Sequence, residues 1–133
     1  LDHFMADRSR NDAALRAILS RIDGLTLFPD RHGKATSSHY CINAVLPRDG
    51  SVSRDRVVDG LNARKIGSSV HYPGPVPLFT YYSQKYGYKA GQFPVAEWLA
   101  DQTISLPVGP HLTKGDAERV GNAFQEAYSE ALR

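Results

Sequence analysis

A chain of 133 residues fits one domain and can bury about two-thirds of the surface that its unfolded form exposes. Its content of 41% hydrophobic and 23% charged residues lies near the globular average and excludes wholesale disorder. A formal charge of +2 and a sequence pI of about 8.8 are too mild for the one-faced basic surface that grips nucleic acid.

Apolar residues at Leu1, Phe4 and Met5, and again at Leu15, Ile18, Leu19 and Ile22, predict a helix over Leu1–Ile22. Arg8, Asn11 and Asp12 fall on the same face and interrupt the stripe. The helix opens in mid-pattern on Leu1 rather than on methionine, as a fragment would; a complete short protein that has lost a tag or initiator gives the same start. Gly24 stands where a C-cap glycine is expected. Leu25–Phe28 reads as a short strand and Asp30–Ser38 as a polar loop. His39–Leu46 is the strongest strand, dense in β-favouring residues and ended by the turn Pro47-Arg48-Asp49-Gly50.

Ser53 caps a helix predicted over Arg54–Lys65, with Val57, Val58 and Leu61 as its buried face and Gly67 as its breaker. Ser68–Tyr72 is expected as a second strand, and Pro73, Pro75 and Pro77 then impose an extended loop. Short helices follow at Leu78–Tyr86, closed by Gly87, and at Pro94–Gln102, with proline in the tolerated first turn. Thr103–Pro107 is a third short strand. Thr113, with Asp116 three residues on, opens a final helix whose apolar face is Ala117, Val120, Phe124, Ala127, Tyr128 and Ala131. The links are too short for a doubly wound sheet. The expected class is α+β, a small mixed or mainly antiparallel sheet covered by helices in a single domain over residues 1–133.

One cysteine excludes an internal disulfide and agrees with a reducing compartment. No apolar run reaches the ~18 residues of a membrane span, and no secretory leader is visible. A cytoplasmic location is expected. No complete catalytic constellation is present: the five histidines have no metal-ligand spacing, and the glycines form no phosphate-cradling loop. Cys41, inside an apolar strand, reads as a small core residue. His71 and Tyr72 end a strand before a proline-rich loop, where side chains reach a cleft; a half-buried histidine with a satisfied hydrogen bond is the plainer alternative. The tyrosines and lysines of Tyr81–Lys89 suit either a single-strand nucleic-acid clasp or a helix that buries its rings and leaves Lys85 and Lys89 in water. Pro73–Pro77 reads as a structural linker or as a polyproline ligand.

The stretch Ile66-Gly67-Ser68-Ser69-Val70-His71-Tyr72-Pro73, followed by Pro75-Val76-Pro77-Leu78, resembles the DegT/DnrJ/StrS family of sugar aminotransferases. The resemblance continues through Tyr86-Gly87-Tyr88, Gly91-Gln92-Phe93-Pro94-Val95-Ala96-Glu97, Ile104-Ser105-Leu106-Pro107 and Pro110-His111-Leu112-Thr113. Residues 1–22, with Asp2, His3, Phe4, Arg8 and Asn11, are similar to the helix that joins the family's large and small domains. Nearly the whole chain is covered, in order.

The resemblance implies the small C-terminal domain of a type I fold aminotransferase. Such an enzyme uses pyridoxal 5′-phosphate to move an amino group, usually from glutamate, to a keto group of a nucleotide-linked sugar. It further implies a homodimer with sites at the subunit interface, and no nucleic-acid or membrane partner. The Schiff-base lysine and the carboxylate for the pyridinium nitrogen belong to the family's large domain, absent from this chain. Lys34, Lys65, Lys85, Lys89 and Lys114 match no lysine motif, so the chain alone is expected to hold no cofactor and to be inactive. His71 and Tyr72 match the family's His-Tyr pair and are expected in the substrate site. Phe79 stands where many members carry histidine, which bears on which sugar is bound. The competing expectation is a non-catalytic module of the same fold that binds a ligand or a partner.

Overall fold

In a computed structural model that describes residues 1–132, five helices pack with two small antiparallel sheets. The chain runs α1 (Asp2–Leu19), β1 (Thr26–Leu27), β2 (Arg31–His32), β3 (Ala35–Thr36), β4 (Cys41–Val45) and α2 (Arg54–Ala63). It continues through a 3-10 turn (Val76–Leu78) to α3 (Thr80–Tyr86), α4 (Pro94–Gln102), β5 (Thr103–Pro107) and α5 (Lys114–Ala131). The main sheet has the order β1-β4-β5, antiparallel throughout, with Ile42 opposite Leu106 and Asn43 opposite Ser105. The α+β class is therefore as expected, and β4 is the central strand.

Alternation along β4 and β5 gives this sheet two unlike faces. Ile42, Ala44, Leu46, Ile104, Leu106 and Val108 lie in one apolar core with Leu15 and Leu19 of α1, Val57 and Leu61 of α2, and the stripe of α5. All six residues predicted for the α5 stripe are buried, Phe124 completely. The start of α5 also matches expectation. The Thr113 side chain accepts from the Asp116 amide while Asp116 accepts from the Thr113 amide, and these bonds hold the Asp116 carboxyl below its ordinary pKa.

Several predicted boundaries move. Helix α1 ends at Leu19, and Gly24 (φ +78°) serves the following turn rather than a helix cap. The polar stretch expected as a loop contains the β2–β3 hairpin, because Gly33 (φ +58°) and Lys34 close a two-residue turn between His32 and Ala35. Strand β4 begins at Cys41 rather than His39, whose φ of +50° lies outside strand geometry. Helix α2 closes before Gly67: Lys65 takes the left-handed position (φ +59°), and its amide and that of Ile66 return to the carbonyls of Asn62 and Leu61. Val58 is only half-buried. The strand expected at Ser68–Tyr72 contracts to one bridge, Ser69 with Ser105, since the prolines that follow supply no amide to extend it. Within Pro73–Pro77, the backbone turns into the 3-10 helix at Val76 rather than staying extended. The apolar start of α1 finds no cover: Leu1 and Phe4 are exposed.

Helices α2 and α5 approach so closely that a Cβ on Gly60 would lie 2.8 Å from Ala127 Cβ and 3.3 Å from its Cα. Gly60→Ala should therefore lose its usual helix-propensity gain of about 1 kcal/mol to an overpacking cost of about 1–3 kcal/mol. Thermal unfolding is expected several degrees lower than in the parent chain. An equal or higher midpoint would show that the two helices separate freely at this crossing.

Candidate functional site

The second face of the main sheet carries Cys41 and Asn43 from β4 with Thr103, Ser105 and Pro107 from β5. The short helix α4 reaches over part of it, through Ala96, Leu99 and Ala100. Two adjoining cavities lie over it, of about 350 Å³ and about 310 Å³, and His71 lines both.

Backbone pairing places His71 there. Ser69 and Ser105 exchange amide-to-carbonyl bonds of 3.0 and 2.8 Å, which lays residues 67–72 beside the outer edge of β5. Two residues further on, His71 emerges with its ring edge-on to Tyr72, centroids 6.3 Å apart, and the peptide joining them is cis. Both side chains are exposed, which removes the reading of His71 as a half-buried, satisfied histidine. Tyr72 lines only the second cavity, with Asn43, Val76, Leu99 and Thr103. Phe79 lies outside both linings and packs over Gly74, whose Cβ would sit 3.4 Å from its ring.

The first cavity is walled by α1 and by the loop after β5. Asn11, completely buried, donates to the carbonyls of Gly109 (3.0 Å) and Leu112 (2.8 Å) and so fixes this loop against α1. Gly109 lets the His111 ring lie over the backbone, where a Cβ would fall 2.5 Å from it. Arg8 enters the same cavity from α1, facing His111, Tyr40 and the Ser68–Ser69 segment. Directly after Asn11, Asp12 is buried with His39, its carboxylate 3.5 Å from the imidazole and 3.2 Å from Arg16. The polar residues that interrupt the α1 stripe thus anchor a loop and furnish a cavity wall. Their position on an otherwise apolar face was the available signal.

Cys41 departs from its expected place in the core. It is half-buried on the first cavity's wall, and its thiol lies 3.6 Å from Asn43 Oδ1. The rings of Tyr81, Tyr82, Tyr86 and Tyr88 are exposed rather than buried, with Lys85 over Tyr81 and Tyr86. None of the five lysines lines either cavity, and each is exposed, so these residues do not fit a pyridoxal phosphate site by themselves. Among the described residues no cluster of His, Cys, Asp or Glu is placed to hold a metal, and no helix is long and apolar enough to cross a membrane.

The Ser105 hydroxyl, on a residue only 5% exposed, donates to Asn43 Oδ1 at 2.7 Å. Asn43→Ala removes that acceptor and is expected to cost about 1–3 kcal/mol. Adding Ser105→Ala should return part of the loss, because the stranded donor is gone. Denaturant unfolding of the parent chain and both variants checks this, and identical midpoints for the single and double variants would show that the hydroxyl finds another acceptor.

Comparison with known proteins places these features in context. The family model described as "DegT/DnrJ/EryC1/StrS aminotransferase family" matches residues 1–125. The erythromycin biosynthesis sensory transduction protein EryC1 of Saccharopolyspora erythraea is 35% identical over 90% of this chain and 31% of its own. The dTDP-3-amino-3,4,6-trideoxy-alpha-D-glucose transaminase of Streptomyces venezuelae is 42% identical over 55% of this chain and 19% of its own. Among solved structures, S. venezuelae DesV, crystallised in complex with a ketimine intermediate, superposes with a TM-score of 0.81 at 31% identity, covering 94% of this chain and 32% of DesV. DesI, crystallised in the presence of its TDP-sugar product, gives 0.76 at 26% identity over 95% and 31% of the two chains. The chain spans about a third of the length of these structures.

Proposed function

The chain belongs to the DegT/DnrJ/EryC1/StrS aminotransferase family, and we propose that it serves as the small C-terminal domain of a nucleotide-sugar aminotransferase. The parent enzyme would move an amino group from glutamate to a keto carbon of the sugar and act as a cytoplasmic homodimer. Pyridoxal phosphate, held by the parent's larger domain, supplies the electron sink for that exchange. This chain supplies one wall of the substrate cleft. Support comes from length, since the chain matches about a third of EryC1, DesV and DesI, and from the two cavities over the polar face of the sheet. The observation that carries the reading is His71, exposed and shared by both cavities with Tyr72 beside it.

The wall acts through what its groups can bind. The His71 imidazole can donate to a sugar hydroxyl or a phosphate oxygen, and the Tyr72 ring can cover the apolar face of a sugar or base while its hydroxyl stays free to bond. The prolines at 73 and 75 limit the backbone freedom behind the pair, so little ordering is needed when substrate arrives. A charge-assisted hydrogen bond from His71 is worth about 1.5–3 kcal/mol.

In the parent aminotransferase, His71→Ala is therefore expected to weaken nucleotide-sugar binding by roughly tenfold or more while leaving the glutamate half-reaction near its original rate. Tyr72→Phe tests the hydroxyl and keeps the ring. Single-turnover kinetics of the two half-reactions provide the measurement. Equal slowing of both by His71→Ala would move the residue out of the sugar site and count against this reading.

A further inference from the structure

Among the described residues, Arg8 makes no salt bridge. Its Nε is buried without a hydrogen bond, whereas Arg10, Arg16, Arg54 and Arg64 all reach carboxylates. The acids nearest it in sequence are already engaged, Asp7 by His3 and Arg10, and Asp12 by Arg16 and His39. The cavity that Arg8 lines contains no Asp or Glu. Facing it are the imidazoles of His71 and His111 and the hydroxyl-bearing residues Tyr40, Ser68 and Ser69. Buried polar atoms are ordinarily hydrogen-bonded, so a half-buried arginine whose Nε is shut off from water without an acceptor is left unsatisfied. A planar fork of donors among imidazoles and hydroxyls matches one ligand chemistry, an oxyanion bound through two of its oxygens.

We propose that the cavity bounded by Arg8, His111 and the Ser68–Ser69 segment is an oxyanion site, taking a carboxylate or a phosphate group. The wall is held ready for it. Asn11, one turn from Arg8, binds both ends of the loop that carries His111, and the Ser69–Ser105 bridge fixes the opposite side. The inference rests on the aminotransferase reading only for where the oxyanion comes from, either the carboxylate of the amino donor or the diphosphate of the nucleotide sugar. His71 lines the same cavity, so a diphosphate would place this site next to the proposed sugar contact, whereas a donor carboxylate would occupy the cavity in the other half of the cycle.

The test is a titration of the 133-residue chain, isotope-labelled for NMR, with glutarate in one arm and inorganic pyrophosphate in the other, at constant ionic strength. Saturable shifts at the amides of Gly67–Ser69 and at the His111 ring are expected with at least one probe. Arg8→Gln is expected to weaken that binding at least tenfold, and Arg8→Lys, which keeps the charge without the fork, by less. Response to glutarate alone assigns the donor carboxylate, response to pyrophosphate alone assigns the diphosphate, and response to both supports the general site. No saturable shift at these residues with either probe, or an unchanged affinity in Arg8→Gln, overturns the proposal. The wild-type map decides the location even if the variant unfolds, since saturable shifts confined to another surface also overturn it. The titration needs neither cofactor nor turnover, so it fails or succeeds separately from the half-reaction experiment on His71.

Discussion

Everything functional in this domain depends on the one-sided covering of a three-stranded sheet. Helices α1, α2 and α5 all pack on the same face, where Ile42, Ala44, Leu46, Ile104, Leu106 and Val108 meet Phe124 and its neighbours. Burial of large side chains at about 1.5–3 kcal/mol each concentrates the stability there. The period of two along a strand then sends Cys41, Asn43, Thr103 and Ser105 to the opposite face whatever else happens. That face is free to be polar because the core does not need it. Close approach of the helices is part of the same constraint, with Gly60 against Ala127 and Gly121 against Ile18 leaving no room for a side chain between them.

A wall built this way divides its labour between rigid and adaptable parts. The floor of both cavities is hydrogen-bonded strand, and Asn11 and the Ser69–Ser105 bridge hold the segments around it. The groups proposed to meet a ligand stand above that floor: His71 and Tyr72 on an exposed stretch before the prolines, His111 over Gly109, and Arg8 from the middle of α1. Preorganisation of the frame lowers the entropy cost of ordering those few side chains on binding.

The parts of the fold that were legible in the sequence are those whose signals are local. Pro94 at a first turn, the reciprocal Thr113–Asp116 bonds and the mainly apolar run after His39 each specify their element within a few residues. Signals failed where a non-glycine residue took the special conformation, as Lys65 did in closing α2 two residues before the expected glycine. They also failed where an element is a single contact, as at Ser69. Of the site, His71 and Tyr72 were visible from their place beside the prolines. The anchoring contacts of Asn11 were not, because it meets its acceptors 98 and 101 residues further along the chain. A break in an apolar stripe marks a polar task without naming the partner. The overlap with a family motif extended this reading to residues that periodicity leaves silent.

Trp98 is the only tryptophan in the chain, and its indole donates to the carbonyl of Leu46 at 3.0 Å, pinning α4 to the end of β4. The residue that follows it, Leu99, lines the cavity shared by His71 and Tyr72. The domain thereby contains a native optical reporter at the edge of this cavity. Indole emission responds to the polarity and hydrogen bonding around the ring, so a shift in wavelength signals that α4 has lifted from β4, while a change in intensity at fixed wavelength signals an event in the cavity with the helix still seated. Ligand docking and helix release become separable in a single emission spectrum, without any dye attached to the chain.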